Sequence, residues 1–391
     1  MSLTVCLGAN YLRSPHAAGL LWVYLNWALG LRSLGCKVIW LEWVPPGETA
    51  GWLERSLALL KGQLAEFGFD TDVALCSWEN ETELSIPAAR ECLDVDAAVE
   101  ADLFINIGYD GFPPEVIARF RRSIMVDIDP GLTQLWVNAG TMNLFPHHCY
   151  FTIGETVGQP NAPFPSCGVR WEYTPPPIAL DHWRITSADA GAPYTTVTNW
   201  WGPSIGAEGH EYDNGKRAGF LPFLGLPAMT AARLQLAIYS RADDRADLSR
   251  WREEGWEVCD ALAVAATPQL YRSFVQRSRG EFSCAKPSYV RLETAWMSDR
   301  TIAYLASGKP AVVQFTGRSR FLPDAEGLFR FRTAEEAVHA LEVVESDYER
   351  HCGLARALAE EHFDARRVIG RVLERAMDVR PSERMEVRPL P

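Results

Sequence analysis

The sequence predicts an α/β protein made of two facing Rossmann-like domains with a cleft between them. Three observations carry this reading. The chain has 391 residues, and at roughly 100 to 200 residues per domain that length suggests two cores. Its first forty residues alternate strand, helix, strand. The same alternation restarts after a run of three prolines, Pro175-Pro176-Pro177.

In chain order, residues 3–7 form a short apolar run that reads as a buried strand, and residues 8–15 read as a loop. Residues 17–34 fit a helix with Leu20, Leu21, Tyr24, Leu25, Ala28 and Leu31 on one broad face; Gly35 stops it before a second strand at 37–41. A strand-helix-strand in so short a span implies a parallel pair with a right-handed crossover. Further strands are predicted at 103–107, 124–128 and 149–153, with a helix opening at Pro113-Pro114. The three prolines bar helix and central strand alike, so they suit a stiff connector. Beyond them, strands are expected at 195–199, 234–239, 262–266 and 311–314, and a helix near 214–224. A charged helix at 355–377 and a disordered tail at 379–391 complete the reading. The expected division is an N-terminal domain at 1–177, a C-terminal domain at 178–362, a helix at 363–378 packing back towards the first domain, and the tail.

Composition narrows the function. The chain is 47% hydrophobic and 23% charged, as a globular protein is, and its net charge of -12 argues against a nucleic-acid partner. Nine cysteines without a Cys-x-x-Cys pair argue against a disulfide framework and a zinc ribbon. The N-terminus reads as a strand rather than a signal peptide, and no apolar run approaches the ~18 residues of a membrane span. A cytoplasmic protein is therefore expected, with a homodimer left open.

The most informative stretch is 283–317. Ser298 suits an N-cap, Asp299 suits a first helical turn, and Ile302, Leu305 and Ala306 form an apolar stripe closed by Gly308 and Pro310. A helix that opens at a loop and feeds a parallel strand points its positive end into the cleft, where a pyrophosphate can bind. Lys286, Ser298, Arg300 and Thr301 would supply donors, and Asp299 could accept from ribose hydroxyls.

The stretch Gly280-Glu281-Phe282-Ser283-Cys284-Ala285-Lys286, with Trp296-Met297-Ser298-Asp299-Arg300-Thr301 running into Tyr304-Leu305-Ala306-Ser307-Gly308-Lys309-Pro310, resembles the GT-B glycosyltransferases. The likeness is to a bacterial branch with a spore-maturation-like C-terminal domain, and it is sharp over about forty residues. It implies a donor site for a nucleotide diphosphate sugar such as a UDP-sugar, with Lys286, Ser298, Asp299 and Arg300 as contacts. No tightly bound cofactor and no metal are implied. Hexosyl or deoxyhexosyl transfer to a small-molecule or glycan hydroxyl would be the reaction. The chain departs from the retaining families at Ala303, where their helix carries a glutamate, so stereochemistry does not follow.

Other candidates come from strand ends. The loop after the first strand holds His16, whose imidazole titrates near neutrality and suits a general base, and Gly19, small enough for close approach to a donor. Asp127 and Asp129 are similar to the metal-binding Asp-x-Asp of GT-A enzymes, but alternate strand residues point to opposite faces. Asp129 alone could face the cleft as a base, and Asp110 is a similar possibility. Trp200 or Trp201 could stack on a base or sugar, and Lys216 could reach a phosphate. The adjacent His147 and His148 diverge in direction and read as structural. Gly-x-Gly-x-x-Gly is absent, although Glu42 ends the second strand as a ribose-binding acid would. An NAD-dependent oxidoreductase, a sugar-nucleotide epimerase or a non-catalytic sugar-nucleotide binder therefore remains an alternative.

Overall fold

The structure, a computed structural model, describes residues 2–77, 87–207 and 210–385. The first half builds a seven-stranded sheet from β1 (Thr4–Ala9), β2 (Lys37–Val44), β3 (Val73–Ser77), β4 (Leu103–Asn106), β5 (Ser123–Asp127), β6 (Cys149–Thr152) and β7 (Trp171–Tyr173). Its strand order is β3-β2-β1-β4-β5-β6-β7, and every neighbouring pair is parallel. The crossovers contain α1 (Ala18–Ser33), α2 (Ala50–Ala65), α3 (Val95–Val99), α4 (Pro114–Arg119) and α5 (Leu132–Asn138).

The second half repeats the plan. Its sheet contains β8 (Tyr194–Asn199), then, after a small antiparallel hairpin of β9 (Ile205–Ala207) and β10 (His210–Tyr212), β11 (Leu234–Tyr239), β12 (Glu257–Asp260), β13 (Gly280–Ser283), β14 (Ala311–Gln314) and β15 (Leu328–Phe331). The order is β12-β11-β8-β13-β14-β15, again all parallel. Between the strands run α6 (Lys216–Phe220), α7 (Arg245–Glu253), α8 (Ala261–Ala265), α9 (Pro268–Arg277), α10 (Pro287–Leu292) and α11 (Asp299–Ala306). The chain closes with α12 (Ala334–Ser346), α13 (Tyr348–Leu358) and α14 (Ala365–Asp378). The strand order reverses between β1 and β4 and again between β8 and β13. Open parallel sheets present a crevice at the carboxyl ends of the strands beside such a reversal.

Several expectations change in the structure. Residues 262–266 are not a strand: the Asp260 side chain caps Leu262 N at 2.9 Å and starts the alanine-rich α8, while the strand lies just before it at β12. The long terminal helix is broken, since a π-type turn (Ala359–Phe363) and Asp364 separate α13 from α14. Helix α1 buries far more than one face, because α9 packs on it from the second half and α14 from the chain end. Gly30 allows the last approach: a Cβ there would overlap Ile369 and Ala365. The tail is ordered at its start. Arg122 Nε donates to Val379 O at 3.2 Å, Arg384 Nη2 to Phe120 O at 2.7 Å and Met385 N to His147 O at 2.9 Å, and residues 386–391 lie outside the described residues.

The proline connector is packed rather than exposed. Ile178 N donates to Phe363 O at 2.7 Å and Ala365 N to Ile178 O at 3.0 Å, so the two chain crossings lie side by side. Among the described residues no helix is long and apolar enough to cross a membrane.

Candidate functional site

The segments that follow β8 and β13, the pair at the second reversal, carry three cations, Lys216, Lys286 and Arg300, each at or near a helix start. Gly219 packs against the Ala285 carbonyl oxygen so closely that a Cβ would overlap it, which brings α6 onto the end of β13. Lys216, at the start of α6, is thereby buried, and its Nζ donates to Cys284 O at 2.6 Å. Burial first, then the nearby Arg300 and Lys286, hold its ammonium well below the usual lysine range. Lys286 is also pushed down by burial, with Asp129 opposing the shift. Three positive groups held this close in a desolvated place favour an anion.

Helix α11 opens beside them. Ser298 is its N-cap, its hydroxyl accepting from Arg300 N at 3.3 Å, and Gly308 ends the helix with φ +69°. Burial pushes the Asp299 carboxyl up to about 7, and the nearby Asp129 adds to the shift. Arg300 turns inward: Nε bonds Glu281 Oε1 at 2.6 Å, Nη2 bonds Ser283 Oγ at 2.6 Å and Nη1 bonds Val197 O at 3.1 Å. Its guanidinium is thus engaged by β8 and β13, not presented freely to the cleft. Lys216, Trp296, Ser298, Arg300 and the buried Thr301 line one narrow cavity. Trp296 Nε1, a buried donor there, has no partner among the described residues.

The first sheet contributes Asp129 from the end of β5. Tyr289 OH, on α10 of the other half, donates to Asp129 Oδ1 at 2.7 Å, and Tyr109 OH lies 3.3 Å from Oδ2. Tyr289 in turn stacks on Trp296, ring centroids 4.3 Å apart. Asp127 plays a different part. Its buried carboxylate accepts from Thr133 Oγ1 at 2.6 Å, Thr152 Oγ1 at 2.8 Å, Gln134 Nε2 at 3.1 Å and Asp129 N at 3.0 Å. Asp127 is thus taken up by Thr133, Gln134 and Thr152, while Asp129 is held by Tyr109 and Tyr289.

The remaining candidates lie elsewhere. His16 is exposed, and its backbone carbonyl, not its ring, accepts from Tyr239 OH at 3.1 Å. Gly19 abuts Tyr271 of α9, so its smallness serves the packing of the two halves. Asp110 accepts from Asn143 N at 3.1 Å at the surface. Trp200 is wholly buried, edge-on to Trp251, with Nε1 on Asp247 Oδ2 at 2.6 Å; it is a core anchor and not a stacking platform. Trp201 stays 42% exposed, with Arg217 and Arg241 against its ring. His147 is fully buried and His148 Nε2 lies 3.1 Å from Pro381 O, so both are structural. Glu42 does not wait for a ribose: it holds the first loop through Tyr11 N at 2.9 Å, Leu12 N at 3.2 Å and Trp40 Nε1 at 2.9 Å. That occupancy removes the feature that favoured a nicotinamide enzyme. Sequence reasoning missed Tyr289 as a partner of Asp129 and Glu281 as the partner of Arg300.

These buried acids set a pH dependence. Burial raises Glu42 to about 7 from 4.5, Asp127 to about 6 from 3.8 and Asp299 to about 7 from 3.8. The folded state therefore holds these protons more tightly than the unfolded chain. Their contribution is full below the unfolded values and is lost as pH rises through about 6 to 7. Urea unfolding should show stability falling between about pH 4 and about pH 7 from this source, with a shallower fall in Glu42→Gln. An unchanged slope in that variant would contradict the assignment.

No family model and no curated protein matches the sequence. Solved structures do match. The Anabaena protein Alr3699/HepE in complex with UDP-glucose is 12% identical, with 96% of this chain and 100% of that one covered at a TM-score of 0.57. A glycosyltransferase of Rickettsia africae ESF-5 is 10% identical over 96% of this chain and 98% of its own, TM-score 0.55. An alpha-glucosyltransferase in complex with UDP is 9% identical over 96% and 100%, TM-score 0.55. The chain has the fold of these proteins, GT-B, over 96% of its length.

Proposed function

We propose that this protein is a glycosyltransferase that moves a hexosyl or deoxyhexosyl group from a nucleotide diphosphate sugar to a hydroxyl of a small-molecule or glycan acceptor, without a metal ion. The observation that carries the reading is the pair of buried lysines, Lys216 and Lys286, beside the opening of α11, with Asp129 of the first half close to Lys286. The shared fold supports it, since proteins of that fold have been solved with UDP and UDP-glucose.

In this reading residues 1–177 form the acceptor half and 178–362 the donor half, with 363–378 returning to the first and the cytoplasm as the place of action. Lys286, Lys216, Ser298 and the first backbone amides of α11, Thr301 included, take the diphosphate, whose charge grows as the sugar C1–oxygen bond breaks. Asp299 accepts from the ribose hydroxyls. Arg300 acts through the helix it fixes. In an inverting displacement Asp129 removes the acceptor hydroxyl proton as that oxygen bonds to C1, and the diphosphate leaves with the bonding pair. Asp129 is preferred to His16 as the base because it alone lies with the cations. Trp201 could flank the nucleoside.

Calorimetry with UDP tests the donor site. A charge-assisted contact is worth roughly 1.5 to 3 kcal/mol, so Lys286→Ala should weaken UDP binding about ten- to a hundred-fold. Undiminished UDP binding by both Lys286→Ala and Lys216→Ala would place the donor elsewhere. Donor turnover should also survive EDTA; a strict need for Mn²⁺ would overturn the metal-free part of the proposal.

A further inference from the structure

Where the two chain crossings pair at Ile178 and Asp364, the edge strand β7, the loop after β14 and helix α14 line a half-open cavity of about 470 Å³. Small-molecule sites commonly span roughly 300 to 1,000 Å³. None of its lining residues belongs to the cavity beside Lys216 and Arg300.

Its two walls differ in chemistry. On one side Tyr173 of β7 stacks on Phe321 of the other half, ring centroids 5.3 Å apart and 6° from parallel, and Phe321 remains 50% exposed. On the other side Arg367, Arg371 and Arg375 recur at every fourth position of α14, which sets them along one helical face. Arg375 is neutralised by Glu172, its Nε 2.9 and 3.0 Å from the two carboxylate oxygens. Among the described residues the other two have no carboxylate partner: Arg371 Nε bonds Arg367 O at 3.3 Å, and Arg367 Nη1 bonds Glu360 O at 3.4 Å. Glu361, also in the wall, faces His362 at 3.9 Å. Two unneutralised guanidiniums beside an aromatic surface match a ligand with an anionic group and a ring, since the planar fork of arginine binds carboxylate or phosphate through paired donors.

We propose that this cavity is a second binding site, for a small organic anion whose phosphate or carboxylate meets Arg371 and Arg367 and whose ring or apolar part lies against Tyr173 and Phe321. Its walls come from both halves of the molecule, so an occupant holds them together. The proposal does not depend on the donor site.

Phenyl phosphate, phenylacetate, inorganic phosphate and benzyl alcohol are the probes, titrated into the full chain by calorimetry. The expected result is that phenyl phosphate or phenylacetate binds more tightly than inorganic phosphate or benzyl alcohol; whichever of the two binds better identifies the anionic group. Arg371→Gln should weaken that binding about ten- to a hundred-fold. Arg371 is exposed, so its replacement leaves the fold intact, which thermal unfolding checks. Lys286→Ala and saturating UDP should leave the probe's affinity unchanged. Binding that disappears with UDP or in Lys286→Ala would assign the probe to the donor cleft and overturn the proposal. So would equal binding by Arg371→Gln, or no binding of either aromatic anion.

Discussion

Arg300→Ala is expected to cost about 3 to 5 kcal/mol of folding stability, the range found when one partner of a buried ion pair is removed. The cause is Glu281, which is 0% exposed and would lose the guanidinium that bonds its Oε1 at 2.6 Å. Val197 O and Ser283 Oγ would lose a donor as well. Chemical denaturation reads this directly. The informative companion is the double variant Arg300→Met, Glu281→Leu, because an apolar pair of similar volume can replace a buried ion pair at little cost. If Arg300 serves the donor only through the placement of α11, the double variant recovers both stability and most of the UDP affinity. Recovery of stability without affinity would mean that the guanidinium touches the diphosphate itself.

The second large effect concerns turnover. Asp129→Asn keeps an oxygen that can accept from Tyr289 OH, so the cleft should hold its shape and UDP should bind nearly as before. Loss of a general base typically costs 10²- to 10⁴-fold in rate, and that is the expected fall in turnover. His16→Ala should change little, since the imidazole is exposed and contacts neither Asp129 nor Lys286 among the described residues. Full activity in Asp129→Asn together with a large loss in His16→Ala would reverse the assignment of the base.

Much of the architecture was legible in the sequence because local rules decide it. Short apolar runs between helical segments specify parallel strands buried on both faces. Ser298 and Gly308 mark the two ends of α11 by capping chemistry alone. What stayed illegible is what distant segments decide. Asp260 caps a helix where an apolar run suggested a strand, and alanine, a strong helix former, follows it. Trp200 and Trp201 are adjacent and alike in sequence, yet one is buried against Trp251 and the other is exposed. Arg300 reads as a phosphate ligand until Glu281, nineteen residues earlier, is seen beneath it. Tyr289 meets Asp129 across 160 residues, a separation no local pattern encodes.

Helix α14 also sets an order of events during synthesis. Ala365, Val368, Ile369, Val372 and Ala376 are buried, and Ala365 and Ile369 press on Gly30 of α1. All seven strands of the first sheet have been synthesised once Tyr173 is added, but this cover is not yet made. At roughly 5 to 20 residues per second, the ribosome needs on the order of ten seconds or more to reach Ala365. For that interval the surface of α1 around Gly30 lacks the apolar cover that α14 later supplies.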